Sequence, residues 1–153
     1  MNKLIIISSL LVLIQSGEYN SHGNDERGNE IEKVVTTLFD MMRDSDGERI
    51  RELITEGATL HTVIQENGNT SLRETRFDDF IRSVSATEPG TLDEQLTSFI
   101  SHEDENLATA WMEYQFFVSG EFSHCGVNTM NLVKKPDGWK IFSIVDTRRT
   151  EGC

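Results

Sequence analysis

Leu107-Ala-Thr-Ala-Trp-Met-Glu-Tyr-Gln-Phe-Phe-Val118, then Ser119-Gly120-Glu121, then Phe122-Ser-His-Cys-Gly-Val-Asn-Thr-Met-Asn-Leu-Val-Lys134 is the stretch on which the fold turns. Its β-branched and aromatic residues recur with period 2, and the small polar break between the runs has hairpin-turn chemistry. The same pattern extends outward. Leu92 to His102 precedes it across the break His102–Asn106, and Trp139 to Arg149 follows it across Lys135-Pro136-Asp137-Gly138. These runs predict a meander of long antiparallel strands closing the chain.

Upstream the period is 3.6. Ile31, Val34, Val35, Leu38, Phe39 and Met42 form the apolar stripe of a first helix. Ser45-Asp46-Gly47-Glu48 has capping-box spacing and predicts a second helix carrying Ile50, Leu53 and Ile54, stopped by Gly57. Ala58 to Gln65 reads as a strand ending in the turn Glu66-Asn67-Gly68-Asn69. Thr75 with Asp78 is a weaker cap before Phe77, Phe80, Ile81 and Val84, a third helix ended by Pro89-Gly90. Helices whose stripes must be buried on one face of a meander make an α+β layer architecture.

Of the 153 residues 37% are hydrophobic, enough for one packed domain. The formal net charge is -12, and so acidic a surface repels phosphate backbones and anionic lipids, which argues against nucleic-acid and membrane partners. Lys3 followed by the uncharged run Leu4 to Ile14, then Gln15-Ser16-Gly17, has the layout of a secretory signal peptide and is too short for a bilayer span. The expected organisation is a signal peptide over 1–17, a flexible leader over 18–29, a domain over 30–149 and a tail over 150–153, in an exported protein. Export to an oxidising compartment permits one bridge between Cys125 and Cys153; the alternative is a buried core thiol and an unpaired tail thiol. No CxxC, HExxH or paired-His spacing suggests a metal, and no cofactor motif is present.

The order helix–helix–strand–helix–meander resembles the nuclear transport factor 2-like (SnoaL-like) superfamily over Glu30 to Arg149. The local features that carry the resemblance are Asp44-Ser45-Asp46 before a short second helix, Gly57-Ala58 entering the first strand, and Gly138-Trp139-Lys140-Ile141 opening the last. Phe122-Ser-His-Cys-Gly-Val-Asn128 with Asp146-Thr-Arg-Arg149 is similar to small bacterial members, largely without assigned function. The resemblance implies a curved antiparallel sheet wrapped on three N-terminal helices, a cone-shaped, cystatin-like fold with a cavity. That cavity hosts isomerases, cyclases, dehydratases, hydrolases and binding modules, so the fold leaves the chemistry open. No catalytic set of any of these enzymes matches this sequence residue by residue.

Turn lengths predict which residues share a face. A two-residue loop at Ser119-Gly120 pairs Val118 with Glu121, Gln115 with His124 and Glu113 with Gly126. A three-residue loop at Pro136-Asp137-Gly138 pairs Lys135 with Trp139 and Asn128 with Asp146. One face then carries Trp111, Glu113, Gln115, His124, Asn128, Asp146 and Arg148; the other carries Met112, Tyr114, Phe116, Cys125, Val127 and Trp139. A single bulge would exchange the sets, so which face lines a pocket stays open.

His124 with Asp146 is the candidate catalytic pair, a base whose tautomer the carboxylate fixes; a histidine with an ordinary hydrogen bond is the plainer alternative. Trp111, Glu113, Tyr114, Asn128, Arg148 and Glu94 are the candidate ligand-binding residues. Asp146 and Arg148 could equally be a structural ion pair. Glu94 lies among Leu92, Leu96 and Ile100, where burial requires a partner such as Arg148. The expected function is an exported domain that binds a small, partly apolar molecule between sheet and helices. The alternatives are a cofactor-independent lyase, isomerase or cyclase using His124 and Asp146, and a homodimeric assembly module without catalysis.

Overall fold

A computed structural model describes residues 24–153. The expected signal peptide and the start of the leader lie outside the described residues. Helix α1 (Asn24–Arg43) begins within the stretch read as leader and buries Ile31, Val35, Leu38 and Met42, the stripe seen in the sequence. Its end corrects the second-helix reading. The Asp46 N–H donates to the Met41 carbonyl oxygen, the Ser45 N–H donates to that of Met42, and Ser45 takes a φ of 59°. This is a Schellman stop. Ser45 therefore closes the first helix instead of capping a second, and its hydroxyl meets Thr87 at 3.3 Å. The next element is one short 3₁₀ helix (Gly47–Glu52), without a side-chain cap. Gly47 is required there because a Cβ would stand 2.4 Å from the Ile81 carbonyl oxygen of the helix beyond.

Strand β1 (Ile54–Glu66) runs through Gly57 as a bulge, so that glycine enters the strand and does not stop a helix. The Asn67-Gly68 turn leads into β2 (Asn69–Thr75), a strand the sequence pattern does not disclose because all its residues but the last are exposed. Helix α2 (Phe77–Ser85) buries Phe77, Ile81 and Val84; its cap position is Arg76, not Thr75. Strands β3 (Leu92–Asp104), β4 (Leu107–Val118), β5 (Glu121–Lys135) and β6 (Gly138–Thr147) then form the expected meander. The architecture is α+β, with two α-helices and one 3₁₀ helix among the described residues where three helices were expected.

The strand order is β2-β1-β6-β5-β4-β3, antiparallel except where β1 lies parallel to β6. α1 packs on β3, and α2 packs on the 3₁₀ helix. Between helices and sheet lies a core containing Leu38, Ile50, Ile81, Met112, Met130 and Ile141. Register shifts between Leu96 and Ser98, between Phe116 and Phe117, and between Asn131 and Leu132 interrupt the ladders, one in each of β3–β4, β4–β5 and β5–β6. Such bulges bend a sheet around what it covers.

Candidate functional site

The register of β4 on β5 decides what faces inward. Val118 pairs with Glu121 as expected, but Ser123 is an extra residue, so His124 pairs with Phe116 and not Gln115, and Gly126 pairs with Tyr114 and not Glu113. On β4 the inward set is therefore Met112, Tyr114 and Phe116. Trp111 and Glu113 lie on the outer face, both exposed, which corrects their expected place beside a ligand. On the β5–β6 side Lys134, not Lys135, faces Trp139, and the register shift beyond Asn131 restores the expected pair Asn128 with Asp146.

The inner face closes over a cavity of about 250 Å³. One wall is apolar, with Leu38, Phe39 and Met42 from α1 and Phe80 and Val84 from α2. The sheet wall carries Glu94, Tyr114, His124, Asn128, Asp146 and Arg148. Six of the eight predicted residues thus meet in one chamber.

Asp146 is 5% exposed, and its Oδ2 accepts a hydrogen bond from Arg148 Nε at 2.6 Å. Its Oδ1 is buried and meets no donor in hydrogen-bond geometry among the described residues; the Tyr114 hydroxyl lies near enough to interact with the Asp146 carboxylate, but donates to the Thr147 carbonyl oxygen instead. A buried carboxylate oxygen without a donor is costly, so it marks a place where something else donates. Arg148 also reaches Thr62 Oγ1 at 3.5 Å, tying the segment just past β6 to β1. Burial acts to lower the Arg148 pKa, but the hydrogen bond and charge of Asp146 outweigh it, so the guanidinium stays charged.

Glu94 sits across the chamber on β3, where Asn128 Nδ2 donates to its Oε1 at 2.5 Å. Burial pushes its carboxyl pKa up to about 8, the Asn128 hydrogen bond opposes this, and the Asp146 charge adds to it. Glu94 is half-buried and lines the cavity. At neutral pH it is mostly protonated.

Tyr114 donates its hydroxyl proton to the Thr147 carbonyl oxygen at 3.0 Å. That carbonyl is free because the Val127 N–H is taken at 3.1 Å by the Thr147 side-chain hydroxyl instead. Gly126 makes the arrangement possible: a Cβ there would lie 1.8 Å from the same carbonyl oxygen and 2.9 Å from the Tyr114 ring. Burial, with the Asp146 and Glu94 carboxyls, holds the Tyr114 hydroxyl above its usual range, so it remains a donor.

His124 stacks edge-on to Tyr114 at 5.8 Å and tilts on Phe116 at 5.1 Å, with Ser123 Oγ 3.0 Å from its Nδ1. Burial lowers its pKa, as does the Arg148 charge, against the pull of Asp146, so the ring is neutral at pH 7. The hydrogen-bonded partner of Asp146 is Arg148, not His124.

Beyond Thr147, Arg149 pairs with Cys125 through two backbone hydrogen bonds, and a disulfide joins Cys125 to Cys153. Of the two alternatives for the thiols, the structure contains the bridge. Among the described residues no group of three or more His, Cys, Asp or Glu side chains is gathered as a metal site, and no helix is long and apolar enough to cross a membrane.

No protein-family model and no curated protein matches the sequence. Solved structures do match it. An NTF2-like protein with a cystatin-like fold from Novosphingobium aromaticivorans is 16% identical, with 84% of each chain covered and a TM-score of 0.62. A putative dehydratase of the NTF2-like family from Streptomyces avermitilis is 17% identical, over 82% of this chain and 98% of that one, with a TM-score of 0.63. The association domain of C. elegans CaMKII is also 17% identical, over 81% and 97%, with a TM-score of 0.63. At such identities the likeness speaks for architecture alone. With its helices laid on a bulged six-stranded sheet, the chain has the nuclear transport factor 2-like, cystatin-like fold.

Proposed function

We propose that the chamber between sheet and helices binds a small, partly apolar molecule, which Asp146 holds through Oδ1. The buried, unpartnered Asp146 Oδ1 carries this reading. The apolar helix wall supplies contact area, and a few convergent polar groups supply orientation, as in ligand pockets generally. Export through the N-terminal segment belongs to the same reading, because the Cys125–Cys153 bridge suits an oxidising compartment. Native mass spectrometry of protein purified from its own compartment tests it. The expected result is a co-purified small molecule, lost on Asp146→Ala. A wild-type chain that arrives empty and also takes up no monocyclic probe would overturn the proposal.

A second reading, proton-transfer catalysis, is favoured by the opposed states of the two carboxyl groups. Asp146 is ion-paired, while Glu94 retains its proton near neutrality. Such divergence is the usual mark of an acid and a base in one site. Here Asp146 Oδ1 abstracts a proton from carbon next to a carbonyl and Glu94 donates one to the carbonyl oxygen, with neutral His124 as the other available base. A solved structure of the same fold described as a putative dehydratase supports keeping this reading. Solvent-deuterium exchange into a bound ketone is expected to stop in Asp146→Asn; exchange at the uncatalysed rate in the wild type would end the idea.

A further inference from the structure

The groups that line the chamber carry almost no net charge, although the whole chain has a formal charge of -12. Two carboxyl groups, Glu94 and Asp146, face one guanidinium, Arg148. A second buried carboxylate here would stand beside the first without a counter-ion, so one of the two holds its proton. The hydrogen bonds show which. Asp146 takes the Arg148 Nε–H, while Glu94 has only the uncharged amide of Asn128.

The surroundings of Glu94 supply no further charge. β4 contributes Tyr114 and β5 contributes His124, both neutral at pH 7. β6 contributes Asp146 and the residue just past its end contributes Arg148, β1 contributes Leu60, and β2 contributes Thr75. The helix wall presents Phe80, Ser83 and Val84 from α2 and only apolar side chains from α1. An anion entering here would compete with Asp146 for Arg148, and a cation would have to draw the proton from Glu94, whereas a neutral ligand disturbs neither.

Size narrows the class further. A dry cavity of about 150 Å³ accommodates a benzene ring, and drug-sized pockets begin near 300 Å³. The 250 Å³ chamber lies between them. It has room for one substituted ring.

We infer that the chamber selects an uncharged molecule of single-ring size that carries both a hydroxyl and a carbonyl oxygen, the hydroxyl donating to Asp146 Oδ1 and the carbonyl accepting from the Glu94 carboxyl. This rests on the reading of the chamber as a ligand site and gives it a chemical class. The two polar substituents meet opposite partners: Asp146 offers only an acceptor, while protonated Glu94 has its remaining oxygen as a donor. Burying such a pair leaves neither protein group unsatisfied, whereas a plain hydrocarbon leaves Asp146 Oδ1 as it is now.

The test is a protein-observed NMR titration of the full mature chain with three probes that share one ring. They are meta-(hydroxymethyl)acetophenone, meta-(hydroxymethyl)benzoate and ethylbenzene. The expected result is that the neutral hydroxy-ketone binds at least about tenfold more tightly than the other two, the ratio of one well-made polar contact. Its affinity should fall about tenfold from pH 7 to pH 9 as Glu94, with a pKa of about 8, gives up its proton. Glu94→Gln, whose amide still donates, should bind the ketone with no such pH dependence, and Asp146→Ala, which removes the acceptor, should lose the advantage of the hydroxyl. Comparison of the probes on the unaltered chain needs no variant to fold. If the benzoate binds as tightly as the ketone, the uncharged class is wrong while the chamber remains a ligand site. If none of the three moves a chamber resonance, the underlying binding reading fails and the inference fails with it.

Discussion

Glu94 makes stability depend on pH in a direction opposite to that of most carboxyl groups. Its ordinary pKa is 4.5 and burial raises it to about 8 in the fold, so between those values the folded chain holds a proton that the unfolded chain has lost. The resulting stabilisation is fully present below about 4.5 and is lost as the pH rises through about 8. The expected loss is about 2–4 kcal/mol, below the full conversion because the cavity admits water. Urea midpoints at pH 5 and pH 9 should diverge between the wild type and Glu94→Gln, with the wild type falling further; parallel curves would refute the shift. Gly126, like Gly47, sits where a Cβ finds no room. Gly126→Ala drives a methyl into the Thr147 carbonyl oxygen and the Tyr114 ring, and should cost about 2–4 kcal/mol in urea unfolding. An unchanged midpoint would mean that the β5–β6 backbone gives way freely.

At the scale of elements, the helix stripes and the period-2 runs are legible in the sequence because burial on one side imposes them. β3, β4, β5 and β6 fall within two residues of the expected spans, and α2 carries its expected apolar residues. Three things are not legible. β2 has no buried face and therefore no alternation. The Ser-x-x-Glu spacing suggests a second helix, but its serine ends α1, since a left-handed stop and an N-cap use the same small polar residues. The bulges leave no local mark, yet each exchanges faces. Ser123 turns Trp111 and Glu113 outward and brings Tyr114 beside His124. The expected pair of Asn128 with Asp146 holds because the last hairpin loop is one residue shorter than its composition suggests, and the bulge beyond Asn131 offsets the difference. Most of the site residues can thus be named from the sequence, whereas the strand register that gathers them cannot.

The tail belongs to this scale as well. The Cys125–Cys153 bridge spans 28 residues and clamps the segment after β6 onto β5, next to His124 and Arg148. Loss of such a cross-link costs about 3–4 kcal/mol by loop entropy. Cys153→Ser, or reductant on the wild type, should lower the melting temperature to the same extent, and reductant should have no further effect on the variant. A melting temperature indifferent to both would remove the clamp from the account.

For the molecule as a whole, the outer sheet face has no helix over it among the described residues and exposes Ile100 at 58% and Trp111 at 52%, side by side in the β3–β4 ladder. Exposed apolar surface of this kind favours association between copies, and a homodimer through this face is our expectation. Trp111→Lys should leave the urea midpoint within about 0.5 kcal/mol of the wild type while shifting sedimentation toward the monomer. A wild type that sediments as a monomer at every concentration would exclude the dimer.

The Asp146–Arg148 pair has one more consequence, and it concerns traffic. An acidic exterior accelerates cations and delays anions by long-range attraction and repulsion, both of which dissolved ions weaken. A visitor without charge feels neither. Its arrival at a cavity whose own charges cancel should proceed at the same speed in dilute buffer and in brine, by diffusion alone.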